Sequence, residues 1–396
     1  MSYSYVPWRL PLDGRNPDEE HRASTPLELL FDLSFVVAVS AAAAALHREL
    51  AHGHFAGLVP FAMMFFGIWW AWLNYSWFAS AYDTGDVVFR LVTFVILGGV
   101  LVLAAGVPRV FYDKPDFKVV VIGYLIMRAA LVPMWLRVAH DHTAVRPVAL
   151  RYAAGITGVQ VLWVARLAIP DGAAGLISFV ALVGAEMAIP YWAENSGEES
   201  TPWHVEHIVE RFGLFTIIVL GEVILATTQA ISATLNGPGL SWDLAGVITG
   251  GLLLVLALWW LYFKRSMEEC IRDRNAFYFG YAHYFLLGSV AALGAGMATC
   301  VDVVEHRTEG IGLSAAALCV AGPVVVYLLA LGSIHAYGDR SWRVMTGPST
   351  IGALAIVAAA LGTALSDHIG LSVLLIGLVA TGAVIDHQVR HVREPA

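Results

Sequence analysis

Apolar runs of roughly twenty residues recur about every thirty positions along this chain, and each is long enough to cross a ~30 Å hydrocarbon core as a helix. A water-soluble fold has no interior large enough for so many of them. The composition agrees: 58% of the 396 residues are hydrophobic and 14% are charged, against about 25% charged in soluble domains. The chain is therefore read as an all-α polytopic membrane protein whose first partner is the lipid bilayer. Twelve candidate spans are predicted at 26–48, 55–79, 87–107, 117–139, 149–168, 172–193, 205–231, 243–265, 276–299, 311–334, 343–365 and 369–389.

Residues 1–25 are polar and lack the basic-then-apolar pattern of a cleavable signal, so the first span is expected to act as the insertion signal. Lys and Arg are distributed unevenly over the loops. Arg9, Arg15, Arg22, Arg90, Arg137, Arg146, Arg151, Arg211, Lys264, Arg265, Arg272, Arg274, Arg340, Arg343, Arg390 and Arg393 fall on one side. Only Arg48, Arg109, Lys114, Lys118, Arg166 and Arg307 fall on the other. The positive-inside rule then places both termini in the cytoplasm. No basic block is present, so nucleic-acid binding has no support. Cys270, Cys300 and Cys319 have neither paired nor metal-site spacing and are read as apolar fillers.

The longest polar interruption, near 193–207, splits the chain into two sets of six spans. The expected organisation is a cytoplasmic segment at 1–25, a six-helix repeat at 26–193, a linker at 194–204 and a second repeat at 205–392. An offset of 190 matches Trp69-Trp70 to Trp259-Trp260, Asp83 to Asp273, Phe89 to Phe279 and Leu97-Gly98 to Leu287-Gly288. The match continues with Val100 to Val290, Leu103 to Leu293 and Ala105-Gly106 to Ala295-Gly296. An offset of 181 aligns Phe31 and Leu33 with Phe212 and Leu214. An even number of spans per half preserves orientation, so the repeats are parallel and a path between them is expected.

Ionisable residues within apolar spans are the strongest functional signal, because each costs roughly 2.5 kcal/mol or more near the bilayer centre. Glu28 and Asp32 are i and i+4 on the first span, about 6 Å apart on one face. Two like charges that close in low dielectric can hold a proton or share a cation; alternatively Glu28 is a first-turn residue favoured by the helix N-terminus. The seventh span carries His204, Glu206, His207, Glu210, Arg211 and, deeper, Glu222. Arg211 and Glu222 lie three turns apart, ~16 Å, so each needs another partner, and Asp32 is the expected partner of Arg211. His204, His207 and Glu210 form a helical row, but it lacks the spacing of metalloprotease helices, and no metal or cofactor is expected. Glu222 is read either as a site residue or as a carboxyl hydrogen-bonded across a helix interface.

The second span is unusually aromatic, with Trp69, Trp70, Trp72, Tyr75, Trp77, Phe78 and Tyr82. These residues are either packing and belt residues or the wall of a cavity suited to cations. Asp83, Asp86 and Arg90 follow, with Asp86 and Arg90 spaced as an i, i+4 ion pair. Arg128 and Glu186 are expected to neutralise one another across helices. His283 is either a proton-relay member or a satisfied core histidine. No phosphate-binding loop, nucleophile elbow or Asp-rich pyrophosphate box is found.

These segments together resemble the bacterial low-temperature-requirement A (LtrA) family. The resemblance rests on LELLFDLSFVVAVS with Glu28, Phe31, Asp32 and Phe35, and on YDTGDVVFRL with Asp83, Asp86 and Arg90. It also rests on HIVERFGLFTIIVLGE with His207, Glu210, Arg211, Gly221 and Glu222, and on YAHYFLLG with His283. It implies a bacterial cell-membrane location and a link to growth in the cold. Phe31-Asp32 and Phe35 are also similar to the Phe-Ser-Asp run of lysosomal potassium/proton channels, which implies a pore-lining first helix.

Three functions follow as expectations. The first is a transporter or channel-like permease that binds a proton, cation or small solute at Glu28, Asp32, His207, Glu210, Arg211, Glu222 and His283. The second is an intramembrane enzyme on a lipid or isoprenoid substrate, with Asp32 or Glu222 as the acid that starts a cyclisation and Trp69, Trp70, Trp72, Tyr75 and Trp77 around the cationic intermediate. The third is a non-catalytic membrane partner or sensor.

Overall fold

The computed structural model describes residues 6–20, 22–195, 199–236, 239–271, 276–338, 348–362 and 366–393. Among these, thirteen α-helices and no strand are present. They are α1 (Pro26–Ala51), α2 (Leu58–Tyr82, after a single 3-10 turn at Phe55–Gly57), α3 (Val87–Val110), α4 (Lys118–Asp141), α5 (Arg146–Arg166), α6 (Ala173–Glu194), α7 (Val205–Asn236), α8 (Trp242–Phe263), the short α9 (Glu268–Ile271), α10 (Ala276–Val304), α11 (Leu313–Gly338), α12 (Pro348–Leu361) and α13 (Ile369–Arg393). Ten helices are long and apolar enough to cross a membrane, and shorter apolar helices lie at Gly352–Leu361 and Ile369–Ile385. The chain is thus a multi-pass α-helical membrane protein. Every predicted span has its helix. The one predicted at 343–365 overlaps α12, while its ends at 343–347 and 363–365 lie outside the described residues.

Two compact units form. The first comprises Met1–Ala41 with Met63–Phe212, and the second Ala42–Ala62 with Gly213–Ala396. In the first, α3 packs on α4, α4 on α5 and α5 on α6. The α3–α4 crossing is close at Gly123, where a Cβ would stand 2.4 Å from the Leu103 nitrogen. Only a residue without a side chain permits that approach.

The first unit also holds the segment before α1. Pro7 and Trp8 accept from the first amides of α3, Val87 and Val88, and Leu10 and Leu12 donate their amides to Asp86 and Asp141. Arg9 pairs with Asp141 at 2.8 Å, and Arg15 donates to the Asp83 carbonyl. Leu12 is fully buried. The segment is therefore tied down along its described length by groups that close the exposed ends of α2, α3 and α4.

In the second unit α8 packs on α13, α10 on α11, and α11 on α12. The contacts are between small residues: a Cβ on Gly296 of α10 would lie 2.1 Å from the Cys319 carbonyl oxygen of α11. Cys270, Cys300 and Cys319 are buried and form no disulfide. At one end of this unit His47 meets Asp302 at 2.8 Å.

Candidate functional site

The first turn of α1 is written as a capping box. Thr25 accepts the Glu28 amide on its hydroxyl (3.3 Å), and Glu28 Oε2 accepts the Thr25 amide (2.8 Å); Pro26 follows the cap, where its missing N–H costs nothing. The first-turn reading of Glu28 is met by one oxygen, Oε2, while the other faces the interior. Oε1 has Arg211 Nη1 at 3.1 Å, His207 Nε2 at 3.1 Å and Arg22 Nη2 at 3.8 Å. One turn further, Asp32 accepts Arg211 Nε at 2.9 Å and Nη2 at 2.5 Å, in a bidentate pair, and Trp72 Nε1 at 2.7 Å. Ser76 Oγ lies 3.2 Å from Arg211 Nη2. Glu28, Asp32, His207 and Arg211 are all fully buried.

α7 begins by a similar device. His204 precedes it, accepting the His207 amide on Nδ1 at 3.2 Å, while its Nε2 lies 2.8 Å from the Glu19 carbonyl. His207 is thereby aimed inward. Glu210 turns instead to the Ser24 amide at 3.0 Å. The polar row on α7 is therefore divided among separate partners. Among the described residues, no group of three or more His, Cys, Asp or Glu could hold a metal ion.

Arg22 lies at the rim. It donates to the Ala79 and Ser80 carbonyls at the C-terminal end of α2, where the helix dipole favours a cation. Burial first, and then the charge of Arg15, lowers its pKa to about 10. Nearby, burial and the Glu28 charge raise the pKa of Asp83. Asp86 behaves oppositely. Burial raises its pKa, but the hydrogen bonds from Arg137, Leu10 and Phe89 outweigh that and lower it overall. The expected Asp86–Arg90 ion pair does not form. Asp86 caps α3 by accepting the Phe89 amide at 2.7 Å and pairs with Arg137 at 2.5 Å, while Arg90 Nε donates to the Gly85 carbonyl at 2.9 Å. As the N-cap, Asp86 sits off the helical path, so the i, i+4 spacing no longer brings the two side chains together.

A second buried cluster lies in the same unit. Glu186 on α6 pairs with Arg128 on α4 at 2.9 Å, as expected. It also accepts from Trp70 and Tyr124 at 2.9 Å, Gln160 at 3.1 Å and Trp163 at 3.2 Å.

The aromatic residues of α2 serve these two clusters. Trp70 and Trp72 send their indole N–H groups to Glu186 and Asp32. Tyr75 stacks on Phe31 with centroids 3.9 Å apart and shares its hydroxyl with Thr93. Trp69 is buried beside Trp70, and Trp77 is half-buried against Trp203 and Phe212. In the second unit His283 is buried, with Nδ1 2.7 Å from the Phe279 carbonyl and Nε2 3.0 Å from the Tyr262 hydroxyl. The Phe279 carbonyl can only accept, so Nδ1 donates to it, and Nε2 meets the Tyr262 hydroxyl. Glu222 is buried on α7, and α10 comes close enough that a Cβ on Gly294 would stand 2.8 Å from Glu222 Cβ.

Sequence reasoning missed Arg22, Thr25 and Ser76 as site residues. The Thr-Pro-Leu-Glu spacing at 25–28 was the available signal for Thr25. Arg22 carried none beyond its charge, because it acts through helix-end carbonyls.

The fold and this cluster define a multi-pass helical membrane protein with a buried carboxylate–guanidinium–imidazole core. The chain belongs to the bacterial low temperature requirement A protein (LtrA) family, whose family model matches residues 23–385. It is 25% identical over 311 residues to an uncharacterized protein of Rhizobium meliloti (strain 1021), an alignment covering 75% of this chain and 73% of the relative. No solved structure matches it.

Proposed function

We propose that the protein is an integral-membrane permease that passes a proton, cation or small solute through the cluster of Glu28, Asp32, His207 and Arg211. One observation carries the reading: four ionisable groups from α1 and α7 are fully buried together, with Glu28 Oε1 facing His207 Nε2 and Arg211 Nη1 at 3.1 Å and His207 Nδ1 left without a hydrogen-bond partner. An unpaired buried polar group costs about 1–3 kcal/mol; the Arg128–Glu186 cluster also carries such atoms, on Arg128 Nε and Nη1, but it holds no imidazole. Ionisable groups held inside a membrane protein at such cost mark pathways and relays.

The acid-initiated enzyme reading has less support. Asp32 accepts two hydrogen bonds from a guanidinium and one from an indole, so both of its oxygens are already engaged by protein donors rather than open to an alkene. The two six-helix repeats, the cytoplasmic termini and the bacterial cell membrane belong to the same proposal, supported by the 190-residue offset and the loop distribution of Lys and Arg. Flux measurements on purified protein in liposomes test it. An ion or solute flux that falls at least tenfold in Glu28→Gln and Arg211→Gln, with helical content retained, is expected. A folded wild-type protein that carries no ion or solute would overturn the reading.

A further inference from the structure

We propose that the ion handled by this cluster is the proton, carried on the His207 imidazole facing Glu28, and that the cluster excludes metal cations. The proposal rests on the permease reading and narrows it.

A count of oxygen lone pairs comes first. Calcium and magnesium take six or more oxygen ligands at 2.0–2.6 Å, and sodium and potassium likewise bind through several oxygens. Asp32 has given Oδ1 to Trp72 and Arg211, and Oδ2 to Arg211. Glu28 has given Oε2 to the Thr25 amide. Its remaining oxygen, Oε1, faces three nitrogens, two of them on guanidinium groups. A metal ion placed at Oε1 would sit beside the Arg211 charge and find no second carboxylate oxygen. A proton needs only a lone pair, and a neutral imidazole offers one.

The surrounding charges bear on the same imidazole. Glu28 and Asp32 bring two negative charges, Arg211 one positive, and Arg22 at the rim a second, 3.8 Å from Glu28 Oε1. Charged groups facing His207 from other elements are Glu28 on α1 and Arg22 before it, with Arg211 on its own helix. Arg22 is shared between Glu28 and Glu19 and donates to the Ala79 and Ser80 carbonyls. Glu210, one turn along α7, is turned to Ser24. The proton arrives from water and adds to whichever ring nitrogen is bare, leaving an N–H on Nε2 directed at Glu28 Oε1.

Full-length protein in pyranine-loaded liposomes, driven by a valinomycin potential, reports proton flux, and sodium and potassium are followed in parallel. The wild type should pass protons and neither metal ion, and His207→Gln should lose at least tenfold of the proton flux. Glu28→Gln keeps the imidazole but removes its anion, so its pH profile should move about one unit or more to lower pH. That variant carries the test should His207→Gln fail to fold. Independently of transport, potentiometric titration of the folded proteins from neutral to acid pH should show one fewer proton taken up by His207→Gln than by the wild type. Sodium or potassium flux without proton flux overturns the proton assignment and leaves the permease standing. An equal proton count in wild type and His207→Gln overturns His207 as the carrier. No flux of any kind overturns the permease, while the titration still decides where a proton binds.

Discussion

The first unit contains two buried carboxylate–arginine clusters, and they are built to different standards. Glu186 has five donors on its two oxygens, from Arg128, Trp70, Tyr124, Gln160 and Trp163. Glu28 has one backbone amide on Oε2, and an Oε1 surrounded by nitrogens at ion-pair distance with no hydrogen bond completed. A carboxylate with every lone pair engaged is held in one charge state and one place, and so works as a joint between helices. A carboxylate left incomplete beside an imidazole can change state when the imidazole does. Burial of charge alone therefore does not mark a functional site. What separates the two is how much bonding capacity remains open on the carboxylate, since Arg128 Nε and Nη1 beside Glu186 also lack a partner.

The largest expected effect breaks the closed cluster. Glu186→Ala strands the Arg128 charge and should destabilise the protein by about 3–5 kcal/mol, read as a loss of thermal stability in detergent. Adding Arg128→Met should recover most of that loss, since two apolar residues leave no orphan. Failure to recover would mean that Glu186 does more than balance Arg128.

A smaller loss is expected from Asp32→Asn, about 1.5–3 kcal/mol, because hydrogen bonds to charged partners weaken while the shape is kept. Trp72→Phe removes a single donor from Asp32 and should cost about 1–2 kcal/mol. The corresponding Trp70→Phe, which leaves Glu186 four other donors, should cost less. Equal costs would contradict the distinction between the clusters.

The smallest effect separates two carboxylates at the rim through their pH dependence. Asp86 has a lowered folded-state pKa, so the stability it contributes is present above its unfolded value of about 3.9 and is lost as pH falls through the folded value. Asp83 is raised, so its contribution is complete below the unfolded value and is lost as pH rises through the folded one. The stability gap between wild type and Asp86→Asn should close on acidification. The Asp83→Asn variant should gain relative to wild type as pH rises from about 4 toward neutrality. Parallel curves for the two variants would refute the assigned environments.

The spans were legible because the bilayer demands long apolar helices, and two ion pairs were legible for a related reason. Arg211 in the seventh span and Arg128 in the fourth each require a buried anion, and Asp32 and Glu186 were the plausible ones. Asp86 was misread for the opposite reason: at a helix end a carboxylate has several competing donors, and geometry decides among Arg90, Arg137 and backbone amides. The tryptophans of α2 were ambiguous because an indole is at once an apolar body and a hydrogen-bond donor.

By itself the sequence determined that this chain spans a membrane many times, and that its first and seventh helices carry charges needing partners. Apolar length and the cost of a lone buried charge are properties of short segments, so they can be read along the chain. Only the tertiary structure decided which oxygen of Glu28 faces His207, that Trp72 rather than solvent completes Asp32, and that Glu186 is closed while Glu28 is open. Those are questions of which lone pair meets which donor, and they are settled by the packing of helices distant in sequence.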